Sequence, residues 1–245
     1  MSTTKSILKS AIAMAAAVCA LAPLQAHAAG FVPLSDVGDD IMANCNPNNR
    51  PNLDRCRVTS LPGIAGYTLA ASRSSPIVKN DVTIGTLSDR VWKDKSGNFI
   101  FGTRVQLNAQ AYNLSGLSFN ANDVFRQVLA DKAVAIAYSS TPGSKALIAA
   151  GRTVQGLNEA PEPDPTADPP IPGGLERDNG WVDFSVDVNA AEQLGPSAPN
   201  SPWLLVRTRA PAGFSIQPFA LRILSSDFED FSEFEEIFLS GYQPN

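Results

Sequence analysis

Histidine, the side chain most often used for proton transfer and metal binding near neutral pH, occurs once in the chain, at His27. His27 lies in a segment with the features of a secretory signal peptide, so the exported chain would contain no histidine. Histidine-dependent nucleophiles, and zinc or haem held by histidine, are thereby excluded. Nucleophile-elbow, phosphate-loop and dinucleotide motifs are also absent. The sequence therefore indicates no catalytic residue, cofactor or metal site and favours a non-catalytic protein.

Three tryptophans, Trp92, Trp181 and Trp203, are weak candidates for ligand binding, because an exposed indole can stack on a sugar ring. Each lies in or beside a predicted strand, so packing in the core is the competing interpretation. The 24 Asp and Glu residues offer many carboxylate pairs of the kind that glycosidases use, but the sequence does not single one out.

Residues 1–28 are predicted to be a signal peptide. Lys5 and Lys9 precede an apolar run over residues 11–21, and Ala26-His27-Ala28 forms a small-residue cleavage site. The run is too short to span a bilayer, so no membrane span is expected in the mature chain. Loss of the two lysines changes the formal charge from −5 to −7, an acidic balance that argues against nucleic acid as a partner.

Two cysteines, Cys45 and Cys56, remain after cleavage removes Cys19. Because export leads to an oxidising compartment, we expect a Cys45–Cys56 disulfide that closes an Asn- and Pro-rich loop. A redox pair or a pair of metal ligands is the alternative interpretation, which the lack of a CxxC spacing disfavours.

The mature chain alternates apolar and polar residues in several segments, which is typical of antiparallel strands with one face on a core. The clearest are residues 99–107, 181–188 and 204–209, and Asp94–Asn98 has the composition of a hairpin turn. We predict an all-β fold, an antiparallel two-layer β-sandwich. Further strand predictions cover residues 133–138, residues 214–224 with Pro218 marking an edge or a bulge, and residues 124–129, where a short helix is the alternative.

The sandwich is expected to span residues 61–224, after an N-terminal extension over residues 29–60 that carries the disulfide. Residues 160–174 are rich in proline and are predicted to form an exposed loop. The tail over residues 225–245 is predicted to contain an acidic amphipathic helix, since Phe228, Phe231, Phe234, Ile237 and Phe238 share one face at helical spacing.

Three stretches carry a resemblance to a known family: residues 85–92 (GTLSDRVW), 97–101 (GNFIF) and 201–208 (SPWLLVRT). In order and type, these segments resemble the secreted bacterial β-sandwich proteins associated with PEP-CTERM or choice-of-anchor sorting. The resemblance implies a β-sandwich over residues 61–224 and names no catalytic residue. The chain differs from that family at residues 241–245 (GYQPN), where no apolar anchor or basic tail is present.

Two functions remain open at this level. The first is an exported, non-catalytic protein with a structural or interaction role in the cell envelope or outside the cell. The second is a protein that binds or acts on carbohydrate through carboxylates and exposed tryptophans. A protein or a glycan is therefore the expected partner, and the sequence does not define the oligomeric state.

Overall fold

The computed structural model describes residues 30–34, 55–108, 111–112, 116, 118–144, 149–152, 180–189, 198–226 and 234–245. The predicted signal peptide, the proline-rich segment 160–174 and Cys45 lie outside these residues. The described chain contains strands and no helix, which confirms the all-β prediction. The strands are β1 (Val32–Pro33), β2 (Thr68–Lys79), β3 (Val82–Lys93), β4 (Asn98–Leu107), β5 (Ala121–Gln127), β6 (Val134–Ser139), β7 (Ala149–Arg152), β8 (Trp181–Val188), β9 (Trp203–Arg209), β10 (Phe214–Ser226) and β11 (Phe234–Pro244).

The strands form two antiparallel sheets. The six-stranded sheet has the order β1-β6-β9-β4-β3-β2, and the five-stranded sheet has the order β11-β10-β5-β8-β7. Neighbouring strands in both sheets pair antiparallel. The predicted two-sheet, all-β architecture is therefore present.

The main hydrophobic core contains residues from both sheets. In β8, Val182, Phe184 and Val186 are buried and alternate with half-buried polar residues, so period-two patterning is what turns one face of the strand inward. On the six-stranded sheet, Leu87 and Leu204 belong to the same core. Burying a side chain of this size stabilises the fold by roughly 1.5–3 kcal/mol relative to leaving it exposed.

A second apolar cluster includes Trp92, Trp203 and Leu205 of the six-stranded sheet. Part of the N-terminal extension supplies its cover, because Phe31 and Val58 are buried in this cluster. The extension therefore acts as a third layer over one end of the sheet, and this layer places two of the three tryptophans in a small core of their own.

The turns follow the sequence chemistry closely. Asp94 accepts hydrogen bonds at Oδ1 from the amides of Ser96 and Asn98, at 2.8 Å each, and Gly97 has a φ of 79°. This confirms the predicted hairpin between β3 and β4. In β10, the pairing with β11 shifts register between Gln217 and Leu221, so the predicted bulge around Pro218 is also confirmed.

The predicted C-terminal helix is wrong for the described part of the tail, which forms the edge strand β11 over Phe234–Pro244. Ile237 pairs with Ile223 and Leu239 pairs with Leu221, so alternate residues, not every third or fourth, face the core. Phe238 lies between them and is 48% exposed. The run of apolar residues satisfies both periods, and the long partner strand β10 decides in favour of the sheet. Residues 227–233, the first half of the predicted helix, are outside the described part.

Candidate functional site

A buried polar cluster, here called the core clamp, joins the two sheets. Arg126 of β5 forms an ion pair with Asp89 of β3 and donates from Nε to Thr103 Oγ1 at 3.0 Å. Arg126 Nη1 donates to the carbonyl of Tyr242 at 2.6 Å, and Asp89 Oδ2 accepts a hydrogen bond from the Tyr242 amide at 2.7 Å. Burial raises the pKa of the Asp89 carboxyl, and Arg126 and the Tyr242 amide oppose that rise. Since Asp89 and Arg126 are almost wholly inaccessible, the core clamp fixes the frame and does not meet a ligand.

Two of the predicted binding tryptophans are brought together, but inside the second apolar cluster. The rings of Trp92 and Trp203 lie 6.4 Å apart in an edge-to-face arrangement, and the residues are 5% and 6% exposed. Trp92 packs across Gly102, where a Cβ atom would come within 2.7 Å of the indole. With so little exposed surface, neither ring presents a face on which a sugar could stack.

Trp181, the third candidate, is half-buried and lies apart from the other two, on β8. The residues of β8 that alternate with the core positions are Trp181, Asp183, Ser185 and Asp187, so Trp181 shares the outer face of the five-stranded sheet with two carboxylates. Gln127 of β5 stands directly opposite Trp181.

We call this outer face, defined by Asp123, Asp183, Ser185 and Trp181, the aspartate face. Asp123 stands opposite Ser185 and accepts a hydrogen bond from its hydroxyl at 2.6 Å. Burial raises the pKa of Asp183 well above its usual value, and the charge of Asp123 adds to the rise. Burial also raises the pKa of Asp123, against the effect of the Ser185 hydrogen bond. Two interacting carboxyl groups with raised pKa values are a feature that functional sites often share.

Arg222 of β10 borders the aspartate face. Its guanidinium lies 5.0 Å from the ring centre of Phe125 and 5.7 Å from that of Phe238, and it forms an ion pair with Glu236. Arg222 also lowers the pKa of Asp183, although less than burial raises it. The arginine is thus held by aromatic and acidic neighbours, and it only partly compensates the aspartate pair.

The outer face of the six-stranded sheet has the opposite charge. We call the part of it defined by Arg90, Arg104 and the buried Trp203 beneath Arg90 the arginine face. The guanidinium of Arg90 lies 4.6 Å from the ring centre of Trp203, and both arginines are half-buried. Burial lowers the pKa of Arg104, and the charge of Arg90 lowers it further.

Sequence reasoning missed the residues that define these two faces, with the exception of the tryptophans. Asp89 and Arg90 are adjacent in a strand, so one of them must point inward, and a buried acid signals a buried base elsewhere. That signal was available in residues 85–92. The pairing of Asp123 with Asp183 was not available, because it depends on the register between two strands far apart in the sequence.

No family model, no curated relative and no solved structure matches the chain. In the part of the chain that the structure describes, no group of three or more histidine, cysteine or acidic residues is arranged to hold a metal ion. Nor do the described residues include a helix of the length and apolar character needed to cross a membrane.

Proposed function

We propose that the protein is exported and serves as a non-catalytic β-sandwich protein of the bacterial envelope or extracellular space, with a structural or interaction role. The observation that carries this proposal is that the charged residues fall into two groups, one buried between the sheets and one on their outer faces. The core clamp joins the sheets internally, whereas the aspartate and arginine faces hold charged side chains on the outer surfaces of the sheets. A rigid frame with charged faces is suited to presenting a binding surface.

Export is supported by the features of residues 1–28 and by the cysteine pair. Cys56 is fully buried, and its predicted partner Cys45 lies outside the described residues. A disulfide between them would close a short loop and stabilise the extension by about 2–3 kcal/mol. The resemblance of residues 85–92, 97–101 and 201–208 to PEP-CTERM-associated proteins also supports this location.

Fractionation of producing cells, followed by intact-mass analysis of the recovered protein, tests the proposal. We expect the chain outside the cytoplasm, starting at Ala29, and lighter than its reduced form by two hydrogens. Recovery of the full-length chain from the cytoplasm with all three cysteine thiols reactive toward an alkylating reagent would refute export and the disulfide together.

A second candidate function, binding of a neutral carbohydrate, is favoured by one arrangement on the aspartate face. Trp181 and Asp183 are neighbours on the same face of β8, and Asp123 lies on the adjacent strand. Sugar-binding sites combine an indole that stacks on the ring with carboxyl groups that hydrogen-bond its hydroxyls, and this face carries both residue types.

Titration of the mature protein with neutral oligosaccharides of glucose, mannose and xylose, followed by tryptophan emission, tests this second candidate. Trp181→Ala should abolish a response that the wild type shows. Leu69→Ala, which truncates an exposed side chain on the other sheet, serves as the matched control. An unchanged affinity in Trp181→Ala would remove the aspartate face as the sugar site.

A further inference from the structure

Arg90 and Arg104 are close to each other, and neither forms an ion pair with another residue that the structure describes. Arg90 stands opposite Gly102, and Arg104 stands opposite Ser88, so the two arginines are diagonal neighbours on β3 and β4. Asp89 is the only acidic residue within the strands of the six-stranded sheet, and it points into the core clamp. The arginine face therefore concentrates positive charge on a chain whose formal charge is −5.

Arg104 is unfavourably placed for a residue with a purely structural role. Its Nε is buried and has no hydrogen-bond partner among the described residues. Two guanidinium groups that repel each other, one of them partly desolvated, reduce the stability of the free protein. An anion bound to the accessible part of the two guanidinium groups would offset their mutual repulsion.

The position of Arg90 suits it to bind an anion. The guanidinium of Arg90 lies over the indole of Trp203, with its central carbon 4.6 Å from the ring centre, and this contact restricts where its N–H donors lie. Trp203 is itself fixed by its edge-to-face contact with Trp92. The donors of Arg90 are therefore held in one plane, the geometry that bidentate binding of a carboxylate requires.

Hydroxyl groups line the sheet next to the two arginines. Ser72 stands opposite Arg90, and Ser74 stands opposite Ser88, which in turn stands opposite Arg104. Ser72 and Ser74 are exposed, and Ser88 is half-buried. A bare inorganic anion would not use this row, whereas the hydroxyls of a sugar would.

We propose that the arginine face binds an acidic oligosaccharide, with Arg90 and Arg104 holding a carboxylate group and the serine row contacting sugar hydroxyls. This inference rests on the proposed function as an interaction protein and names its ligand class. The acidic charge of the chain as a whole disfavours densely charged nucleic acids, and two arginines match a single carboxylate, so a short acidic oligosaccharide is the ligand to test first.

Calorimetric titration of the mature protein with trigalacturonate tests the proposal. We expect Arg90→Gln and Arg104→Gln each to weaken binding by about tenfold or more, as loss of a charge-assisted hydrogen bond implies. Arg209→Gln is the matched control, because Arg209 is exposed at the opposite end of β9 from Trp203. Arg104→Gln should melt at the same temperature as the wild type or higher, a result that a structural arginine would not give.

Titrations with other ligands distinguish failure of this inference from failure of the proposed function on which it rests. Binding of maltotriose with equal affinity by wild type and both arginine variants would overturn the inference and leave an interaction protein standing. Binding of inorganic phosphate or sulfate but not of trigalacturonate would also overturn it, as would arginine-dependent binding of a DNA oligomer alone. If wild type binds none of these, the acidic-oligosaccharide inference fails.

Discussion

At the scale of single residues, the core clamp shows how one buried charge determines its neighbours. Asp89 cannot stay ionised in the sandwich unless Arg126 reaches it across the two sheets, and the Tyr242 amide adds the remaining hydrogen bond. The same buried carboxylate forces Arg90 to the opposite side of β3. Burial of Asp89 thus both joins the two sheets and places Arg90 on the arginine face.

Removing the Asp89 side chain should therefore lower the free energy of unfolding strongly. Asp89→Ala leaves Arg126 buried without its counter-ion, and we expect a loss of about 3–5 kcal/mol in the free energy of unfolding, measured by urea denaturation. Asp131→Ala removes an exposed acid paired with Lys132 and should leave the free energy of unfolding essentially unchanged. Equal losses in the two variants would contradict the clamp.

Asp183 is expected to weaken the fold at neutral pH. Its folded-state pKa is raised, chiefly by burial, so its contribution to stability is complete below the unfolded pKa and is lost as pH rises through the folded value. Asp183→Asn, which needs no proton, should raise the melting temperature at pH 7 and reduce its dependence on pH in the mildly acidic range. Wild type and variant with the same pH profile would show that the carboxyl group of Asp183 is not desolvated in the folded protein.

The pKa of Asp94 is shifted in the opposite direction to that of Asp183. Hydrogen bonds from Asn98 lower its pKa, so its stabilising effect is present above the unfolded pKa and disappears as pH falls through the folded value. We expect Asp94→Ala to reduce thermal stability at pH 7 and to make less difference under strongly acidic conditions, as measured by melting at both pH values.

At the scale of elements, the strands with clean alternation were predictable from sequence, and the tail was not. Residues 181–188 have one apolar face at period two only, so they fit a strand and nothing else. Residues 234–239 fit two periods, and the choice between them is made by β10, a partner that local sequence does not reveal. The charged faces were missed for the same reason, since they arise from register between distant strands.

Two substitutions in β11 distinguish a strand from a helix in this part of the tail. In the strand, Ile237 is buried and Phe238 is largely exposed. We expect Ile237→Ala to cost about 2–5 kcal/mol of unfolding free energy, by loss of core contacts. Phe238→Ala should cost less than about 1.5 kcal/mol, from its contacts with Phe219 and Arg222. Similar large losses in both variants would indicate the shared apolar face of a helix.

At the scale of the whole molecule, the two outer faces differ in charge, and this asymmetry could not be derived from composition. The formal charge of −5 suggests an acidic surface throughout. The fold instead places Arg90 and Arg104, both half-buried, on the outer face of one sheet and Asp123 and Asp183 on the outer face of the other. A ligand is therefore expected to choose a face by its charge.

The central claim is that the protein binds its partner and does not transform it. Electrophoresis of the mature protein through native gels that contain acidic or neutral polysaccharides, with reducing ends measured in the same lanes, tests this claim most directly. We predict slower migration in at least one acidic polysaccharide with no new reducing ends. Release of reducing ends, or unchanged migration in every polysaccharide, would contradict the account.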